Sequence, residues 1–200
     1  MDDFLAQIYL EQAKQECERC FHSIQVMNAI TQKKLEDDFF QHALDLIHHA
    51  AAVSRIFWPP GGKNKQSTKR AHRRGQALRD MLELQSGHAV QNRSLRDHFE
   101  HFDERLDDWA ENSKNRNIVH RLFGPRSAIG GDAIQDSDII HHFDPATNVF
   151  GFRGEHYNVQ ELATGLDDIY QKTVARIEEI DANKANSHGN FALLRAAKSQ

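Results

Sequence analysis

A mainly α fold is predicted for this 200-residue sequence: a helical bundle of four to five helices with a β-hairpin inserted before the last long helix. Apolar residues recur every three or four positions over several long stretches, the spacing of one buried helical face. Proline and glycine fall between those stretches rather than inside them. Alternating β-branched and aromatic residues flank one Pro-Ala-Thr turn, which confines the expected hairpin to about 139–157. Amphipathic helices joined by short connections bury their stripes against each other, so a bundle is the expected solution. A single domain over 1–181 and a polar C-terminal tail over 182–200 are expected.

Leu5, Ile8, Cys17, Phe21, Ile24 and Met27 mark a first helix over 4–29. Leu35, Phe39, Ala43, Leu46, Ala50, Val53 and Phe57 mark a second, which Pro59-Pro60-Gly61-Gly62 must stop. Thr68 is the expected cap of a third helix running through Leu84, with Gly87 as its stop. Leu95, Phe99, Phe102, Leu106 and Trp109 form the narrowest stripe, on a fourth helix over 93–111. Residues 112–137 read as irregular, and IIHHFD with NVFGFRGEHY supply the hairpin strands. Asn158 and Glu161 have capping-box spacing ahead of the last long helix, whose stripe is Leu162, Leu166, Ile169, Thr173, Ile177 and Ile180. From Asp181 the chain is polar, with a short helix expected at 190–198.

Hydrophobic residues make up 39% and charged residues 27%, enough apolar content for a core. No stretch has the roughly 18 apolar residues of a membrane span, and the start MDDFLAQIYLEQ lacks a basic-then-apolar leader pattern. A cytoplasmic protein without membrane contact is therefore expected. Cys17 and Cys20 form a CxxC inside a predicted helix, with no preceding strand and no second pair, so they read as packed thiols. Gly61-Gly62-Lys63 and Gly130-Gly131 lack the rest of a phosphate-loop fingerprint, and no serine has an esterase-elbow context.

The largest electrostatic feature lies between Gly61 and Leu78, where Lys63, Lys65, Lys69, Arg70, Arg73 and Arg74 occur without an acidic residue. The whole chain carries a formal charge of −4, so this run is a local reversal of sign. Clustered cations bind polyanions by releasing counterions, which makes these six residues a candidate nucleic-acid contact. A solvated helix face is the plain alternative. No aromatic residue interrupts the run, and Trp58 beside it reads as packing rather than a stacking platform.

The fourth helix holds Arg96, Asp97 and His101 in an Arg-x4-His pattern with a polar residue directly after the arginine. This resembles the motif of the HEPN superfamily (higher eukaryotes and prokaryotes nucleotide-binding), a group of helical bundles. Many members are metal-independent endoribonucleases that act as toxins or in antiphage defence, with the motif at a dimer interface. The resemblance covers six residues plus the architecture. It implies RNA as substrate, a homodimer, a cognate antitoxin and no cofactor. The residue types suit the chemistry: histidine takes a proton from a 2′-hydroxyl near neutral pH, and arginine holds the phosphate as charge develops. His101 is then the general base, Arg96 the phosphate clamp and Asp97 the group orienting the imidazole, with His98 a secondary candidate. On an ideal helix Arg96 and His101 lie about 140° apart, which is why a second copy is expected to complete the site.

Two other classes compete. A non-enzymatic helical interaction protein would use the same stripe and basic run for partner binding. A metal centre would draw on Asp45 with His48, Asp138 with His141, or His98 with His101. One of those pairs falls in a predicted strand and the first helix supplies no inward glutamate, so no metal ligands are assigned.

Overall fold

The computed structural model describes residues 1–33, 36–92, 101–131 and 133–197, with the side chains of 33, 36–37 and 187–197 outside the description. The elements are helices α1 (Asp3–Lys33), α2 (Glu36–Phe57), α3 (Lys65–Met81), α4 (Phe102–Asn112) and α5 (Val159–Ala197), with a small sheet of β1 (Val119–Phe123), β2 (Ile139–Asp144), β3 (Val149–Phe152) and β4 (Glu155–Asn158). The chain is thus mostly helical with a four-stranded sheet.

Asp2 starts α1 by accepting the Leu5 amide at 2.8 Å. The buried stripe of this helix is Ala6, Leu10, Ala13, Cys17, Cys20, Met27 and Ile30, while Leu5 and Ile8 are exposed. The expected face is therefore rotated over the first turns. Small side chains at 6, 13, 17 and 20 let α2 approach closely and run antiparallel, so that Cys20 meets the Leu46 carbonyl and Glu16 meets His49. On α2 the expected Phe39, Ala43, Leu46, Ala50, Val53 and Phe57 are buried, joined by Phe40 and Ile47, and Leu35 lies outside the described residues.

Asn64, not Thr68, caps α3: its Oδ1 accepts the amides of Gln66 and Ser67, each at 3.1 Å. The Thr68 hydroxyl instead donates to the Gly62 carbonyl at 3.3 Å. The helix ends at Met81, and Leu82 and Leu84 continue into the core without helical backbone.

Of the fourth helix expected over 93–111, residues 93–100 lie outside the described residues. His101 has φ −127° and ψ 32°, values outside the helical region, and α4 begins at Phe102. None of its residues is buried, so its stripe of Phe102, Leu106 and Trp109 lies only partly covered on the sheet.

The sheet has order β1-β2-β3-β4, with β1 parallel to β2 and the other pairs antiparallel. β1 lies inside the segment expected to be irregular. The predicted second strand is two strands, because Arg153 (φ 46°) and Gly154 (φ 87°) turn the chain between them. Phe39 packs on Phe123 and Phe143 with ring centroids 5.1 and 4.4 Å away, and Phe40 faces Phe150 at 6.5 Å. These contacts join sheet and helices in one core.

Asn158 caps α5 as expected, accepting the Glu161 amide at 3.0 Å. Leu162, Leu166, Ile169, Thr173, Ile177 and Ile180 are all buried. The helix then continues to Ala197, through the stretch expected to be a polar tail.

Candidate functional site

The end of α2 sets the position of α3. Gly75 sits where the two meet: a Cβ there would lie 2.5 Å from the Phe57 carbonyl oxygen and 2.6 Å from Pro59 Cδ. That close approach puts Leu78 in the core and turns the opposite face of α3 outward.

The six cations separate under this arrangement. Lys63, Lys65, Lys69, Arg70 and Arg73 are exposed. Arg74 is not free: Nη2 donates to the Arg55 carbonyl at 3.0 Å, and its guanidinium lies 4.7 Å from the centroid of the Tyr9 ring. Arg79, outside the predicted set, is held in the same way. It donates to the Phe57 carbonyl and to Gln76 Oε1, and sits 5.9 Å from the Trp58 ring. On an ideal helix Lys65, Lys69, His72, Arg73 and Gln76 fall within about 100° of arc, a continuous stripe on the outer face.

A groove of about 500 Å³ runs along one flank of the stripe, between α3, Trp58-Pro59 and the short 3-10 turn Ala89–Gln91. His72 Nε2 lies 3.1 Å from the Pro59 carbonyl, which can only accept, so Nε2–H donates to it and the neutral tautomer that fits has its lone pair at Nδ1. Trp58 is 8% exposed, and the His88 ring stacks on it at 5.4 Å. It is packing, as expected. His88 itself accepts the Val90 amide and faces Asp168 at 3.4 Å; burial, which outweighs that carboxylate, lowers its pKa and favours the neutral ring.

The second expected site is only partly visible. Arg96, Asp97 and His98 lie outside the described residues. His101 is exposed at the start of α4, with Nδ1 3.2 Å from Glu104 Oε2. Among the described residues its carboxylate partner is thus Glu104, one turn downstream. The basic face belongs to α3, seated on α2, whereas α4 docks on the sheet through Phe102 on Phe152, Arg105 to Glu155 and Trp109 to Asp138.

No family model, curated protein or solved structure matches this chain.

Sequence reasoning missed a polar cluster between α1 and α2. Glu16 is 6% exposed, and its carboxylate receives Arg19 at 2.7 Å, Gln12 at 2.9 Å and His49 Nδ1 at 2.7 Å. Its partners Arg19 and His49 line a cleft of about 490 Å³ together with His22, His42 and Asp45. Glu16 and Arg19 have helical i, i+3 spacing, but His49 is 33 positions away and only the helix pairing reveals it. No group of three or more His, Cys, Asp or Glu side chains is placed to hold a metal among the described residues. Cys17 and Cys20 are buried free thiols; burial and the nearby Glu16 and Glu18 push Cys17 up to about 12. A thiol so disfavoured as thiolate has no nucleophilic use near neutral pH. Among the described residues no helix is long and apolar enough to cross a membrane.

Proposed function

We propose that this protein binds RNA through the outer face of α3. The observation that carries the reading is the exposure of Lys63, Lys65, Lys69, Arg70 and Arg73 on and beside one helix, in a stretch from 61 to 79 with no acidic residue. Lys65, Lys69 and Arg73 recur at about 6 Å along the axis, so successive phosphates of one strand can each meet a cation. Anisotropy of a labelled RNA across a salt series tests this. If all five cations contact phosphates, log K falls with log salt at a slope of about −3.5 for single strands. Lys65→Glu/Lys69→Glu/Arg73→Glu, folded as judged by circular dichroism, then abolishes binding. Affinity indifferent to salt, or retained in that variant, refutes the reading.

Metal-independent cleavage of the HEPN kind is a second reading, favoured by the His101–Glu104 pair. A carboxylate at Nδ1 orients the imidazole and leaves Nε2 to accept a 2′-hydroxyl proton. Arg96 would hold the phosphate in this scheme, and the homodimer, the antitoxin and the role of Asp97 belong to it as well. RNA degradation in the presence of a chelator that is lost in both His101→Ala and Arg96→Ala supports it. Degradation that survives both substitutions refutes the assignment.

A further inference from the structure

We infer that the groove beside α3 takes an unpaired nucleobase, so that the strand held by the basic face is single-stranded. The inference rests on the reading that α3 binds nucleic acid, and it names which kind. The groove opens directly onto the phosphate-facing stripe, since Arg73 belongs to both. Its volume of about 500 Å³ lies within the roughly 300–1,000 Å³ of small-molecule sites.

Its polar groups match a base edge. His72 lines the groove and, in the neutral ring, keeps a lone pair at Nδ1, because Nε2–H is committed to the Pro59 carbonyl. Gln91 also lines it and keeps its amide N–H group, because Oε1 accepts the Gly87 amide at 3.1 Å. One acceptor and one donor in the lining of a concave site are complementary to the donor and acceptor pattern of a Watson–Crick edge. The floor, Trp58 and Pro59, is apolar and buried. Stacking on Trp58 is not the mode of capture, since the indole is 8% exposed and already stacked on His88. Gln76 is likewise committed, to Asp80 and Arg79, and serves as wall. A base paired within a duplex cannot enter such a recess without leaving its stack, and an unpaired base enters without that cost.

Competition between four fluorescent probes tests the inference: a mixed-sequence single-stranded RNA, its abasic counterpart, a duplex of the same length, and the single-stranded DNA. The base-bearing RNA strand is expected to bind roughly 10-fold tighter than the abasic strand, the discrimination one base-edge pair supplies. Gln91→Leu is expected to bring the two within about 2-fold while leaving the salt slope unchanged. The four-probe comparison uses the unaltered protein, so it does not depend on the variant folding. DNA binding as tightly as RNA supports the base pocket equally, since the site offers nothing to a 2′-hydroxyl. Equal binding of the abasic strand, or of the duplex, overturns the inference and leaves the basic face intact. Binding of none of the probes overturns both.

Discussion

Gly75→Ala is the most direct test of how α3 is seated. The added methyl would stand 2.5 Å from the Phe57 carbonyl oxygen, 2.6 Å from Pro59 Cδ and 3.3 Å from Arg79 Nη1. Ordinary contact needs about 1 Å more, and two of these atoms belong to backbone or a proline ring, which cannot swing aside. Either α3 or the Phe57–Pro59 segment must move. That movement stretches the bond from Arg79 to the Phe57 carbonyl and the 3.1 Å contact from His72 to the Pro59 carbonyl. Overpacking costs about 1–3 kcal/mol, and weakening these bonds adds about 1–2 kcal/mol. Replacing glycine within a helix returns about 1 kcal/mol. The balance is a loss of about 1–4 kcal/mol, and its midpoint of about 2.5 kcal/mol corresponds to roughly 5–10 °C in melting temperature for a chain of this size. Thermal and urea unfolding followed at 222 nm measure it, with Gly61→Ala as the control, since nothing lies within 4 Å of a Cβ there. If Gly75→Ala melts at or above the parent, α3 does not rest on Phe57 and Pro59, and the groove derived from that contact goes with it.

Thr173 is fully buried on α5 and its hydroxyl has no hydrogen-bond partner among the described residues, so Thr173→Val is expected to raise unfolding stability by about 1 kcal/mol. Burial among Phe40, Phe150 and Phe152, helped by Arg121, lowers the His141 pKa to about 4. Because the unfolded chain binds the proton first, its contribution is complete above about pH 6.5 and lost as pH falls toward 4, of order 2–3 kcal/mol in all. His141→Phe should therefore flatten the urea midpoint over pH 6.5–4, and an unchanged slope would show that His141 is not the residue responsible. His49→Ala leaves Glu16 buried with Arg19 and Gln12 only, so a loss of about 1–2 kcal/mol is expected in the same urea titration, with little change in RNA affinity.

Which parts were legible in the sequence follows from how local their causes are. The α2 and α5 stripes were readable because every buried position on them keeps helical spacing over five turns or more. The Asn158 cap was readable because it needs only the residues 158–161. By contrast β1 was hidden. Leu122 is its only buried residue, and its pairing is with β2, across a connection of 15 residues numbered 124–138. The start of α1 was misread because Leu5 and Ile8 are apolar yet exposed, while the buried positions hold Ala6 and Ala13. At the candidate site the basic run was legible as composition. Its division into free and committed cations was not, since the deciding acceptors are carbonyls of Arg55 and Phe57 on another helix.

That division has a chemical logic. The C-terminal end of α2 leaves carbonyls without helical partners, and a guanidinium satisfies them with a planar set of donors while lying over an aromatic ring. Arginine occupies both positions that do this, 74 and 79, against Tyr9 and Trp58 respectively. Lysine, a compact and strongly hydrated charge, occupies 63, 65 and 69, where the side chain is exposed. Cations that hold α3 in place and cations that face outward therefore lie at different angles of one helix, the holding pair being arginines and the outward set three lysines with Arg70 and Arg73. Had the run been only a solubilising surface, nothing would require its helix to be fastened so closely. Fastening matters if the outward charges must keep a fixed spacing, and a fixed spacing is what a repeating phosphate backbone rewards.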